Sequence, residues 1–252
     1  MRRALLLVVA GCAQGGRDVS IDASTGLVDA PKQQMDAPAV DAPPGTQTRE
    51  LTQTTSQTIQ PQSSIACANN PPGTNSNNYY RVFDLAALGI TSPFKVTEVT
   101  FQIEHSDQIN GTAGSTVAVR VGTYAGTPSD VLELSMMTVL ASNPTVAVPE
   151  VISNPGPPPT TPGGTVHAPI SATIPAGQKL FIEVDSPDGH NQYYFYMGAN
   201  TAGETAPGYV LAPTCVDGNQ MPISKPTNIS KVAPSVYPKV NLLLSVTGQY
   251  QP

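Results

Sequence analysis

Apolar side chains recur at every second position in segment after segment of this chain. Val99, Phe101 and Ile103 alternate with Thr100, Gln102 and Glu104, and Val117, Val119 and Val121 with Ala118 and Arg120. Leu180, Ile182 and Val184 alternate with Phe181, Glu183 and Asp185, and Val240, Leu242, Leu244 and Val246 with Asn241, Leu243, Ser245 and Thr247. A period of two places one set on one face of an extended backbone, so each segment predicts a strand with one face buried. Residues 79–85, 131–139, 166–173, 192–197 and 209–212 add further strand candidates. Only 84–88 and 129–134 read as short helices. Short strands separated by Gly, Pro and Asn turns predict an all-β fold, a single β-sandwich of jelly-roll-like organisation. The proline-rich stretch 149–164 is expected to be an exposed crossover. Ile174-Pro175-Ala176-Gly177-Gln178 is expected to be a tight turn delivering a strand from Lys179.

The first residues are a different material. Arg2 and Arg3 precede a short apolar run, Ala4 to Ala10, which ends in Val9-Ala10-Gly11-Cys12. The run is far below the roughly 20 residues of a membrane-spanning helix. A positive start, an apolar stretch and small residues make an export signal. The segment resembles a bacterial lipobox. That resemblance implies cleavage before Cys12, lipidation of its thiol, and an extracytoplasmic chain anchored to a membrane by its acyl groups, two or three of which hold firmly where one does not. An ordinary cleaved signal with an incidental Cys12 is the alternative. Ala13, rather than Asp, follows the cysteine, a pattern that in many diderm bacteria implies the outer membrane.

Behind the cysteine, Val28-Asp29-Ala30-Pro31, Met35-Asp36-Ala37-Pro38 and Val40-Asp41-Ala42-Pro43 repeat a hydrophobic-Asp-Ala-Pro unit, and Gln, Thr and Ser dominate residues 47–64. Frequent proline opposes helix and strand, and the isolated apolar residues are too few for a core. A disordered, extended tether with a reach on the order of 100 Å is expected. Asp-Ala-Pro repeats after a lipobox resemble the tethers of myxobacterial surface lipoproteins, which implies a place in the cell envelope and nothing about activity. The expected organisation is therefore a signal peptide over 1–11, a tether over 12–64 and a β-sandwich domain over 65–252.

Cys67 and Cys215 remain once Cys12 is assigned to lipid, an even pair in an oxidising compartment. A disulfide closing the two ends of the sandwich is expected, with two buried thiols or a metal pair as the alternatives. The stretches 77–85, 198–209 and 212–215, and the strand ending at Gly248, resemble a β-sandwich module of secreted bacterial proteins. Such modules carry no defined active site, so no functional residue follows from the resemblance.

Catalytic signals are sparse. His105, His167 and His190 lie in separate segments without a His-Glu-x-x-His or Gly-x-Ser-x-Gly context. No Walker loop or dinucleotide fingerprint is present. A Ser-His-Asp arrangement assembled in space stays open. Glu183 and Asp185 share a strand face ahead of Asp188-Gly189, an oxygen-rich run that calcium could use. A plain Asp-Gly hairpin turn explains the same residues, and nothing supports Glu183 and Asp185 as a glycosidase pair. From residue 60 onward, seven Lys and Arg face twelve Asp and Glu, a net charge of −5 without a basic patch, which argues against nucleic acid as a partner.

Tyr193, Tyr194, Phe195 and Tyr196 are consecutive, so alternate rings face opposite sides of a strand. Tyr194 and Tyr196 are candidate ligand contacts, because exposed tyrosines stack on sugar rings and on protein surfaces. A core strand with tyrosine hydroxyls reaching its edge is the plainer alternative. The expected function is a non-enzymatic, lipid-anchored envelope module for binding or adhesion, with a glycan or an envelope protein as partner. The alternatives are a structural or accessory subunit of an envelope assembly and, with less support, a secreted hydrolase.

Overall fold

The computed structural model describes residues 45–68, 72–109, 115–151, 163–232 and 239–252. Thirteen strands run in chain order: β1 (Gln47–Leu51), β2 (Asn77–Asp84), β3 (Phe94–Gln108), β4 (Thr116–Tyr124), β5 (Met137–Ala147), β6 (Gly164–Ile174), β7 (Lys179–Ser186), β8 (Tyr193–Met197), β9 (Ala199–Asn200), β10 (Tyr209–Val216), β11 (Pro222–Asn228), β12 (Asn241–Leu242) and β13 (Leu244–Tyr250). A one-turn helix, α1 (Ile229–Val232), follows β11.

Two antiparallel sheets face each other. The 5-stranded sheet has the order β1-β13-β3-β6, with β8 pairing with β3, and the 6-stranded sheet has the order β11-β10-β2-β7-β4-β5. The chain changes sheet at each step from β1 to β4, turns back through the β4–β5 hairpin, and then changes sheet again through β6 and β7. The resulting pairs are nested: β4 with β5, β3 with β6, β2 with β7, and β1 with β13. This is one long hairpin rolled up, the jelly-roll arrangement. Residues 187–243 interrupt the roll between β7 and β13. Of the segments inside this insertion, β8 extends the edge of β3, while β10 and β11 widen the 6-stranded sheet beyond β2.

The period of two fills the space between the sheets. Val99, Phe101 and Ile103 of β3, Val117, Val119 and Val121 of β4, Leu180, Ile182 and Val184 of β7, and Leu244 and Val246 of β13 join one apolar core. A buried side chain of this size contributes about 1.5–3 kcal/mol. The 174–178 turn forms as expected: Gln178 N–H donates to Pro175 O at 3.2 Å and Gly177 takes φ 77°. That left-handed conformation is open to glycine at little cost.

The structure departs from the sequence expectations at several places. The folded domain begins before residue 65. β1 pairs with β13 from Gln47↔Tyr250 to Leu51↔Val246, so the Thr- and Gln-rich stretch is an edge strand followed by a strap rather than tether. Glu50 accepts the Ser245 hydroxyl at 2.6 Å, and Gln53 Nε2 donates to Val82 O at 2.6 Å. Cys12 and the Asp-Ala-Pro repeats lie outside the described residues, as do residues 152–162 of the expected crossover. Within 84–88, Asp84 ends β2 and the rest belongs to a turn over 85–89, not a helix, with Asp84 Oδ1 accepting the Ala87 N–H at 3.1 Å. The 131–139 candidate is split. Val131 makes a lone bridge to Thr227, a 3₁₀ turn covers Leu134–Met136, and the strand starts at Met137. β5 and β11 were hidden by Pro144, Pro222 and Pro226, and both are edge strands, where proline costs no ladder hydrogen bond on the open side.

Phe181 and Glu183 were expected on an exposed face, yet both are buried. The outer face of the 6-stranded sheet carries a second apolar cluster, in which Phe181 packs with Tyr80, Val82, Tyr124, Leu132 and Tyr209. A polar network beside that cluster takes in Glu183.

Candidate functional site

Strand β8 sorts its rings by parity. Tyr193, Phe195 and Met197 turn into the core, where Phe195 meets Tyr79 and Phe101 at centroid distances of 6.3 and 6.5 Å. Tyr194 and Tyr196 take the opposite, outer face and stay partly exposed. Their rings are stacked, with centroids 6.4 Å apart and planes 24° from parallel.

β3 supplies the other half of this surface. The register pairs His105 with Tyr196 and Asp107 with Tyr194, after an irregularity between Ile103 and His105. Directly opposed residues in an antiparallel pair share a face, so the four side chains form a two-by-two block on the outside of the sheet. The His105 ring touches both tyrosines, at 5.8 Å from Tyr194 and 5.7 Å from Tyr196. Burial holds the His105 imidazole below its ordinary range, against the opposing pull of Asp107 and Glu104. The neighbouring Glu104 is occupied: its carboxylate accepts from the backbone of Gln62 and Ser64 and from the Ser64 hydroxyl, pinning the strap after β1 onto β3.

The sequence alone singled out Tyr194 and Tyr196 but neither His105 nor Asp107. The alternation of β3 breaks at the irregularity after Ile103, and cross-strand register is not written in either strand by itself.

The carboxylates considered for calcium are placed apart in chemistry. Glu183 Oε1 accepts from Asn78 Nδ2 at 2.8 Å and Tyr80 O–H at 2.9 Å and pairs with Arg120 at 3.0 Å. Asp185 Oδ2 takes the other Arg120 nitrogen at 2.8 Å. Burial works against the Arg120 guanidinium, but the charge of Glu183 and the hydrogen bonds to Asp185 and Glu183 outweigh it and raise its pKa. Asp188 accepts the His190 N–H at 3.0 Å in its own turn. A calcium ion would compete with Arg120 for Glu183 and Asp185. Among the described residues no group of three or more His, Cys, Asp or Glu side chains is arranged to hold a metal. The calcium expectation is corrected on that ground, and the same Arg120 clamp leaves Glu183 and Asp185 unsuited to act as a glycosidase pair.

Cys67 and Cys215 are joined as a disulfide with Cα atoms 5.8 Å apart, which removes the free-thiol and metal alternatives. The histidines do not converge. His167 is an exposed residue of β6 that meets Glu98 at 3.0 Å, His190 lies in the turn before β8, and His105 belongs to the tyrosine block.

A buried ion pair escaped the sequence reading. Arg81 points between the sheets with its side chain 0% exposed, 3.1 Å from Glu204 of the insertion. It also donates to Gln53 Oε1, Ala206 O and Leu242 O at 3.3, 2.8 and 2.7 Å. Burial lowers the Arg81 pKa and raises that of Glu204, each opposed by its partner's charge.

No protein-family model matches the chain, and no curated protein matches it. Two solved structures are similar in fold. One is the clostridial cysteine protease Cwp84 after propeptide cleavage, at TM-score 0.46 and 15% identity over 81% of this chain and 40% of that one. The other holds the cysteine protease and lectin-like domains of Cwp84, a surface layer associated protein of Clostridium difficile, at TM-score 0.42 and 16% identity over 76% of this chain and 37% of that one. The chain thus spans less than half the length of either match.

Proposed function

We propose that this chain is a non-enzymatic, lipid-anchored module of the cell envelope whose sandwich binds a glycan through the outer face of β3 and β8. The observation that carries the reading is the partly exposed, stacked Tyr194–Tyr196 pair with His105 against both rings. Rings left on an outer sheet face retain apolar area that a ligand can cover, and tyrosine keeps a hydroxyl for hydrogen bonding. The anchor rests on the lipobox resemblance at Cys12, and oxidation of Cys67 and Cys215 agrees with a compartment outside the cytoplasm. Among the described residues no helix is long and apolar enough to cross a membrane.

Binding of the oxidised, full-length chain to a broad glycan panel tests the site. Saturable binding is expected, falling at least about tenfold in Tyr194→Ala and Tyr196→Ala with the melting temperature nearly unchanged. Binding that survives both substitutions would remove the block from consideration. Incorporation of labelled fatty acid, abolished by Cys12→Ser, tests the anchor.

A second reading, a structural subunit of an envelope assembly, has its own observation. Leu134, Met136, Val139 and Leu140 are 45–50% exposed at the β5 edge of the 6-stranded sheet. Co-purification with an envelope protein in fixed stoichiometry, lost in Val139→Asp, would favour it.

A further inference from the structure

We infer that the Tyr194–Tyr196 block selects glycans bearing free, protonated amino groups, a conclusion that rests on the binding role proposed above and names its ligand class. Charge at the block has one sign. Asp107 stands opposite Tyr194 in the β3–β8 register, and its carboxylate has no salt-bridge or hydrogen-bond partner among the described residues.

Several other acids of the domain are occupied. Glu98 meets His167, Glu133 meets Lys225, Asp130 meets Lys231, Glu183 and Asp185 share Arg120, and Glu204 has Arg81. Glu104 holds the strap. A carboxylate opposite one tyrosine of an aromatic pair is a recognition element for a cation, because the negative ring face and the carboxylate attract the same charge.

Among the described residues, β3 beyond Gln102 and all of β8 contain no lysine or arginine. The basic group of these segments, the His105 ring, is half-buried, and that burial favours its neutral form. The geometry also separates a glycan from an isolated ammonium. Two partly exposed rings 6.4 Å apart and 24° from parallel offer apolar surface on which a pyranose can pack. The register puts Asp107 opposite Tyr194, where an amino group on the sugar would meet it. Neutral, N-acetylated sugars would keep the stacking and lose the ion pair.

Titration of the oxidised full-length chain with a glucosamine oligomer, its fully N-acetylated counterpart and an oligolysine of matched length tests this. The free-amine oligomer is expected to bind about tenfold tighter than the N-acetylated one, with the advantage shrinking as salt rises. Asp107→Asn should lower binding of the free-amine oligomer to the level of the N-acetylated one and so remove that advantage, whereas Tyr194→Ala should weaken both. Asp107→Ser provides a second variant should the asparagine perturb the edge, and the melting temperature of each reports on folding. Equal binding of the two oligomers, insensitive to Asp107→Asn, would overturn the ligand class while leaving the glycan platform standing. Oligolysine binding as tightly as the glucosamine oligomer would overturn it in favour of charge alone. Failure of both glycan oligomers to bind, or binding that survives Tyr194→Ala, would overturn the platform and this inference with it.

Discussion

The rolled hairpin and the insertion at 187–243 share one apolar core but differ in what else fastens them. In the roll, β3, β4, β7 and β13 bury one apolar set after another, and nested pairing provides their hydrogen bonds. The insertion adds Phe195, Met197, Val210 and Leu242 to the same core, but two of its strands, β9 and β12, are only two residues long. Named links fasten it as well. These are the Cys67–Cys215 disulfide, the Arg81–Glu204 pair with its bonds to Ala206 and Leu242, and Asn200, whose side-chain amide donates to Ser56 O and Thr58 O at 2.9 and 3.1 Å. Distributed apolar contact tolerates the loss of one member. A region that also leans on a few polar and covalent links is more sensitive to their loss, so single substitutions in the fastenings should loosen the insertion before the roll.

Arg81→Ala is the severest test. It strands Glu204 beside three unmet acceptors, and a loss of about 3–5 kcal/mol is expected in urea unfolding. Adding Glu204→Gln should recover part of it. A loss below about 1 kcal/mol would mean that the insertion does not depend on the pair. Next in size is the disulfide. With a sequence separation of 148, the chain-entropy ceiling is about 5 kcal/mol, and about 2–4 kcal/mol is the expected loss in the Cys67→Ser, Cys215→Ser double variant. Hydrogen exchange sharpens the comparison: amides of β10 and β11 should lose protection in that variant while those of β3 and β7 keep it. Uniform loss would show the two regions to be one cooperative unit.

The smallest effect concerns His105. Its pKa in the folded chain lies below the ordinary 6.5, so between those values the unfolded chain binds more protons. Stability must then fall as pH drops through that window and level off below the folded value. His105→Gln should flatten that part of the stability profile. An unchanged slope would assign it to another group.

The roll was more legible than the insertion for the same reason. Alternation in 99–103, 117–121 and 240–246 reports burial of one face directly, and those segments fall on β3, β4, and β12 with β13. β1 was not readable because Gln47–Leu51 owes its place to pairing with β13, not to apolar content. β5 and β11 carry prolines that an edge tolerates and a central strand does not. The Cys67–Cys215 pairing followed from the even count and the expected oxidising compartment. Arg81 did not, since a charged residue within a strand ordinarily faces solvent, and only the converging carbonyls and Glu204 reverse that. The candidate site was half legible: parity alone put Tyr194 and Tyr196 on one face, while His105 and Asp107 needed the partner strand.

The seating of β13 between β1 and β3 has a consequence for how the molecule comes into being. Among the thirteen strands, the last synthesised occupies an interior position of its sheet, and β1 has no ladder partner until it arrives. Pairing across so long a stretch of chain is intrinsically slow. A nascent chain emerging in order from its first residue therefore cannot close this sheet early. The nested pairs β4–β5, β3–β6 and β2–β7 need no later strand, but the seam at β1 stays open until almost all of the described strands have emerged.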